Sequence, residues 1–431
     1  LDLKNIIPVL VIFVSFLAVL RVDAQSEAGV MRVELKQTDQ GWEMLRGGKP
    51  YYVKGVGGTV HLDRAKAYGA NSVRTWSAAD AAKVLDKAQE MDMTVLFGLW
   101  VGQERQGFDY EDSKSVQAQL EQFTEVVKTF KDHPALLMWG IGNENDLFYN
   151  DFSVWNAIND IAKMIHREDP NHPTMTVTAG LDVAEVQLIQ ERAPHIDILG
   201  INTYGGLIGI DKQVRAYGWT KPYMITEWGP NGHWEVQKTT WGVPIEQSST
   251  EKASWYKKRF EQGIAEDQQM CIGSYVFLWG QKQETTPTWY GIFLEDGSET
   301  EVVDVLEYSW SGNWPVNKSP KLESFTMNGQ EPTESIQVSK RQKSSVELAV
   351  IEPENEPLKY RLEILPESTD IRSGGDAEDR PTSLDIPFEE STTKGTFTFS
   401  APKQSGPYRL FIYAYDQHEN AAVANIPFYV N

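Results

Sequence analysis

Short apolar runs alternate with amphipathic stretches over most of the first three hundred residues. Eight runs predict strands: 51–57, 72–76, 94–100, 135–142, 174–178, 196–204, 222–228 and 271–279. None shows clean polar–apolar alternation, which is the pattern of parallel strands buried on both faces. Between them, apolar positions recur at helical spacing over 78–91, 113–131, 152–167 and 249–267. Ser249-Thr250-Glu251 offers an N-cap for the last. Eight strands alternating with helices over about 260 residues predict an α/β fold, a (β/α)8 TIM barrel. A doubly wound open sheet is the alternative. It usually places a Gly-rich phosphate loop after its first strand, and Gly55-Val56-Gly57-Gly58-Thr59-Val60 lacks that spacing. Residues 25–50, with the turn Arg46-Gly47-Gly48-Lys49-Pro50, predict a β-hairpin leading into the barrel at 51–316.

The pattern changes near residue 317. Beyond it come β-rich runs at 345–351, 358–365, 396–400, 408–415 and 421–430, punctuated by turns such as Ser373-Gly374-Gly375-Asp376. That spacing predicts an immunoglobulin-like β-sandwich over 317–431. Composition marks the same step, because all 14 tryptophans lie between Trp42 and Trp314. At the other end, Lys4 precedes an apolar run from Ile6 to Leu20 and then Val22-Asp23-Ala24. This is the layout of a signal peptide over 1–24, too short for a membrane span, and it implies a secreted or periplasmic protein, more bacterial than eukaryotic. After cleavage no membrane span is expected.

Charge and cysteine usage narrow the function. With Lys+Arg 40 against Asp+Glu 61, the 431-residue chain carries a net charge of −21. Such a chain has no general attraction for nucleic acid. A single cysteine, Cys271, forms no internal disulfide and no thiolate metal cage, and the seven histidines show no ligand spacing. Neither metal nor cofactor is expected. Oligomeric state leaves no mark in the sequence.

In a barrel, chemistry sits at the C-terminal strand ends. The fourth predicted strand runs into Gly142-Asn143-Glu144-Asn145, and the seventh ends Thr226-Glu227-Trp228-Gly229. A glutamate at one strand end is more often a solvated loop residue than a catalyst. Two, each behind an apolar strand core, are what glycosidic cleavage requires: one acid for the leaving oxygen and one carboxylate for the anomeric carbon.

With those motifs in order, residues 45–315 resemble the glycoside hydrolases of the large retaining barrel clan A, and most of all the family 2 TIM-barrel domain. The resemblance implies that Glu144 is the general acid/base and Glu227 the nucleophile. It implies that Asn143 contacts the sugar 2-hydroxyl, with Arg74 and Tyr204 supporting the nucleophile, and that Trp279 is a sugar platform. Trp100, Trp228 and Trp289 are further stacking candidates, as are Trp234 and Trp241, because a pyranose presents C–H faces to an aromatic plane. His233, in the loop after the seventh strand, and Gln281, after the eighth, are candidate hydrogen-bonding partners. Glu144 must be protonated at rest, so its pKa should be raised by burial and by the charge of Glu227. Lys54-Gly55-Val56, the Asn143-Glu144 pair and Glu227-Trp228-Gly229 also resemble β-1,3-glucan-active members of the clan, transglycosylases included. The expected activity is retaining cleavage of a polysaccharide or oligosaccharide, β-glucan first, with β-mannan, β-galactan or glycosyl transfer as alternatives. A carbohydrate-binding protein without turnover is the non-enzymatic alternative. Whether cleavage is endo or exo is left open.

Overall fold

The computed structural model describes residues 29–393 and 395–431; the predicted leader lies outside them. Eight parallel strands close into a barrel: Val53–Gly57, Ser72–Arg74, Thr94–Leu99, Leu136–Ile141, Thr174–Ala179, Ile198–Asn202, Tyr223–Trp228 and Cys271–Val276. They are called here barrel strands one to eight. Closure, with strand eight paired to strand one, decides against the open sheet. Eight α-helices intervene, from Leu62–Ala67 to Glu301–Ser311. The strands lack alternation because both faces are covered. Leu136, Trp139 and Ile141 face the helices, while Leu96, Met138, Met175 and Met224 fill the barrel interior.

The hairpin Val33–Thr38 and Gly41–Arg46 is antiparallel, and its Val33 and Met44 join that interior cluster, plugging the N-terminal end of the barrel. The helix Ser249–Arg259 starts one residue earlier than its cap was predicted. Ser248 is the N-cap and forms a capping box with Glu251. Ser249 is thereby free to accept a hydrogen bond at 3.0 Å from the backbone of Val423 in the second domain.

The last barrel helix ends at Ser311, and the second domain begins with the strand Lys321–Met327. Two four-stranded sheets pack face to face around Phe325, Val346, Phe399, Leu410, Ile426 and Phe428. The short strand Ile336–Val338 pairs in parallel with Ala421–Val430. It was not foreseen, since three residues carry too little pattern to read. The two domains share a buried apolar interface: Leu294 of the barrel packs with Leu365, Phe411 and Val423 of the sandwich. A fully buried ion pair, Lys252–Glu246 at 2.6 Å, sits beside it and receives Asn425 Nδ2 at 2.7 Å. The sandwich is thus fixed to the barrel rather than tethered. Among the described residues, no helix is long and apolar enough to cross a membrane.

Candidate active site

Barrel strands four and seven end at the same mouth. There a pocket of about 460 Å³ is lined by Glu144, Asn202, Tyr204 and Glu227. A second cavity of about 390 Å³ lies at the opposite end, beneath the hairpin, around Trp42, Met44, Tyr51 and Cys271. It holds no paired carboxylates, so the chemistry belongs to the first.

The turn after strand four is built for its glutamate. Gly142 has φ +77°, and a Cβ there would stand 2.2 Å from Asn145 Oδ1. Glu144 itself has φ +51°, an uncommon conformation for a side chain of its kind. Its amide donates to Val177 O at 2.9 Å and Asn145 Nδ2 to Val101 O at 3.2 Å, so neighbouring strands hold the strained turn.

Arg74, buried, organises the floor. Its Nη1 donates to Glu227 Oε1 at 2.9 Å and to Thr226 O at 2.6 Å, and its Nη2 donates to Asn143 Oδ1 at 2.6 Å. Trp76 Nε1 adds a second donor to Glu227 Oε1 at 2.9 Å, and Tyr204 Oη donates to Oε2 at 3.1 Å. The guanidinium lies over the Trp76 ring at 5.1 Å. Three donors from the ends of strands two and six therefore fix the orientation of the Glu227 carboxylate. Burial and the charge of Glu227 push the Tyr204 phenol well above its ordinary range, so it stays a donor.

Glu144 sits in the opposite electrostatic situation. Burial first, then the charge of Glu227, push its pKa up to about 8. Asn202 Nδ2 donates to Glu144 Oε1 at 2.8 Å and opposes that rise without cancelling it. A pKa of about 8 favours the acid form of Glu144 at neutral pH. Asp146, two residues on, accepts from the amide of Ala179 and is pushed up to about 7, chiefly by burial.

Of the residues proposed from sequence, the pocket brings together Glu144, Glu227, Tyr204 and His233, with Arg74 and Asn143 beneath them. The tryptophan expectations need correction. Trp279 is wholly buried, packed on Phe293 and Trp310, and its Nε1 donates to His61 O at 3.2 Å. Phe277, two residues earlier, faces the pocket instead. Trp228 is buried against Tyr256 and Phe260. Trp289 is buried behind His233, donating to Asn231 O at 2.9 Å. Trp100 is half-buried and outside the pocket wall, and Gln281 donates to Pro287 O at 3.2 Å. Trp241 packs against Tyr429 at the domain junction. The aromatic surface the pocket does offer is Phe277, Trp234, 58% exposed, and Phe148, 67% exposed.

Other participants were missed. Asn202 and Trp76 end strand six and follow strand two, and the strand-end rule applied to polar or aromatic residues would have found both. Glu284 and the segment 372–375 had no signal, because only tertiary folding brings them to the wall. Among the described residues, no group of three or more His, Cys, Asp or Glu side chains is placed to hold a metal ion.

Residues 62–235 match the model of the glycosyl hydrolases family 2 TIM barrel domain, a span that contains both glutamates. The β-glucuronidase of Felis catus is 25% identical over 236 residues, covering 50% of this chain and 30% of that one. The Homo sapiens β-glucuronidase is 24% identical over 241 residues, again 50% and 30%. A calcium-binding mutant of Bacteroides uniformis β-glucuronidase 2 superimposes with TM-score 0.52 at 14% identity, covering 93% of this chain and 48% of its own. The Bifidobacterium dentium β-glucuronidase complexed with coumarin-3-O-glucuronide gives TM-score 0.51 at 19% identity, covering 65% and 49%. The chain thus spans under a third of the length of these curated relatives and about half of these structures.

Proposed function

We propose that the chain, whose barrel carries the family 2 glycosyl hydrolase TIM-barrel domain, is a retaining β-glycosidase exported from the cell, acting on an uncharged β-linked glycan. The observation that carries this reading is the pair of glutamates facing one pocket from strands four and seven, Glu227 held by Arg74, Trp76 and Tyr204, and Glu144 buried with its pKa pushed up by that burial and by Glu227. Glu144 donates its proton to the leaving oxygen as Glu227 attacks the anomeric carbon. Glu227 Oε1 is occupied by Arg74 and Trp76, which leaves Oε2, held only by Tyr204, as the attacking oxygen. The glycosyl ester removes the negative charge that helps raise the Glu144 pKa. Glu144 can then take a proton from water, or from a sugar hydroxyl, whose oxygen attacks the anomeric carbon and breaks its bond to Glu227, freeing the carboxylate. Export is supported by the leader-like pattern of residues 1–24.

The relatives are named β-glucuronidases, yet the pocket favours a neutral sugar. A uronate carboxylate needs a cation, and the wall here adds the carboxylates of Glu235 and Glu284 to the catalytic pair. Lys282 lies 2.8 Å from Glu284 Oε2 and Arg372 Nε donates to Asp370 Oδ1 at 2.6 Å, so the charge of each nearby cation is already balanced by a carboxylate, while the other N–H groups of Arg372 remain donors for a neutral hydroxyl. β-Glucan is favoured among neutral glycans by the motif resemblance. The test is product analysis of wild type and Glu227→Gln on β-1,3-, β-1,4- and mixed-linkage glucans, mannan, galactan and an aryl β-glucuronide. Cleavage of a neutral substrate, lost in the variant, is expected, and products longer than the substrate would identify glycosyl transfer. Cleavage of the glucuronide alone would contradict the neutral-sugar reading, and binding without cleavage would contradict turnover.

A further inference from the structure

The sandwich contributes a wall of the pocket. Between its strands Lys359–Pro366 and Glu389–Glu390 runs a long connection without regular structure, and its Arg372-Ser373-Gly374-Gly375 segment lines the cavity that holds Glu144 and Glu227. This segment is pinned to two separate arcs of the barrel rim. On the loop after strand three, Arg105 donates to both oxygens of Asp376 at 3.0 and 3.3 Å and to Ser373 O at 3.2 Å. On the loop after strand eight, Lys282 Nζ donates to Gly375 O at 2.8 Å. Glu378 joins the bar to the loop after strand eight, accepting from the amide of Thr285 at 2.6 Å and from that of Arg372 at 2.9 Å.

The position favours glycine. At Gly374, φ is +64°, and a Cβ would come within 2.7 Å of Arg105 Nη2 and 3.0 Å of Leu147 Cδ2. Leu147 lies three residues from Glu144, on the same loop, and its amide donates to Glu144 O at 3.0 Å. The crossbar therefore rests on the acid/base side of the pocket. The group that leaves, and the acceptor that returns, must pass on the side of the residue that exchanges protons with them. The bar offers what a sugar hydroxyl binds: the exposed side chains of Ser373 and Arg372, the latter through the N–H groups beyond its Asp370 bond, and the backbone of Gly374 and Gly375 at the pocket wall.

We propose that this segment of the second domain forms the leaving-group subsite, so that the sandwich selects the aglycone and acceptor of a reaction whose catalytic groups all lie in the barrel. The assignment rests on the glycosidase reading above. It predicts an effect on the leaving side alone. In Arg372→Ala/Ser373→Ala, kcat/KM should fall about tenfold more for laminaribiose or cellobiose than for 4-nitrophenyl β-glucoside, whose aglycone needs neither acid nor sugar contacts. Asp376→Ala, which releases the bar from Arg105, should show the same bias with an unchanged melting temperature. Equal losses on both substrates would make the segment merely structural, and no loss on either would remove it from the site. A second arm does not depend on turnover. Laminaribiose binding to Glu227→Gln, read by calorimetry, should weaken about tenfold when Arg372→Ala/Ser373→Ala is added. Equal binding by the two proteins, or none by either, overturns the subsite. An inactive wild type whose Glu227→Gln form still shows the difference would overturn the glycosidase reading alone.

Discussion

Glu144 is the residue on which pH dependence turns. Its acid form is required for glycosylation and its pKa is pushed up to about 8, so kcat/KM should fall as pH rises past about 8. Glu144→Gln should lose that limb when assayed on an aryl glycoside with a good leaving group, and a limb that survives would assign it to another group. The same shift makes a stability prediction. The folded pKa lies above the ordinary glutamate value near 4.5, so between those two values the unfolded chain binds fewer protons than the folded one. Stability contributed here is complete below about 4.5 and is lost as pH rises toward 8. Glu144→Gln should therefore melt higher than wild type at pH 8, with the gap closing toward pH 4. A gap that widens on acidification would contradict the buried acid. Both glutamates were legible because a carboxylate directly behind an apolar strand core is conspicuous in one dimension. Asn202, whose amide reaches Glu144 from strand six, looks like any polar strand end until the barrel closes.

At the scale of elements, the eighth strand shows what pattern alone leaves open. A sequence run says that Phe277 and Trp279 are apolar but not which one faces sugar. The chain turns after Val276, and Trp279 packs among Tyr68, Phe293 and Trp310. Trp279→Ala should accordingly cost about 3–5 kcal/mol of stability, the range for emptying an aromatic core site, read by denaturant unfolding. Phe277→Ala should instead raise KM with a smaller change in stability. The opposite assignment of effects would restore Trp279 as the platform. The helix Ser249–Arg259 gives a smaller test: Ser248→Ala removes a capping box and should cost about 1 kcal/mol. All eight barrel strands were read because burial on both faces leaves unbroken apolar runs, but of the eight helices only Ala81–Glu90, Ser113–Phe130, Ser153–Glu168 and Ser249–Arg259 were; Leu62–Ala67, Val183–Arg192, Ile210–Ala216 and Glu301–Ser311 were missed. The short sandwich strands Ile336–Val338 and Glu389–Glu390 have no such run.

As a whole, the molecule is a barrel whose rim is completed by another domain. Tryptophan usage changes near 317, between the last barrel helix and the strand Lys321–Met327, but nothing linear could show that Arg372 to Gly375 returns to the site. The buried Lys252–Glu246 pair and the cluster of Leu294 with Phe411 should make the two domains unfold together. Calorimetry should give one transition, and truncation after residue 316 should destabilise the barrel by exposing that cluster; two separated transitions would contradict a shared core. The central claim, that Glu227 is the nucleophile of a retaining mechanism, is tested most directly by trapping. Wild-type protein incubated with 2-deoxy-2-fluoro β-glucosyl, mannosyl and galactosyl fluorides should gain the mass of one fluorosugar, located by peptide mass spectrometry on Glu227 and absent in Glu227→Gln. A label on another residue, or inverted product with no adduct, would contradict it.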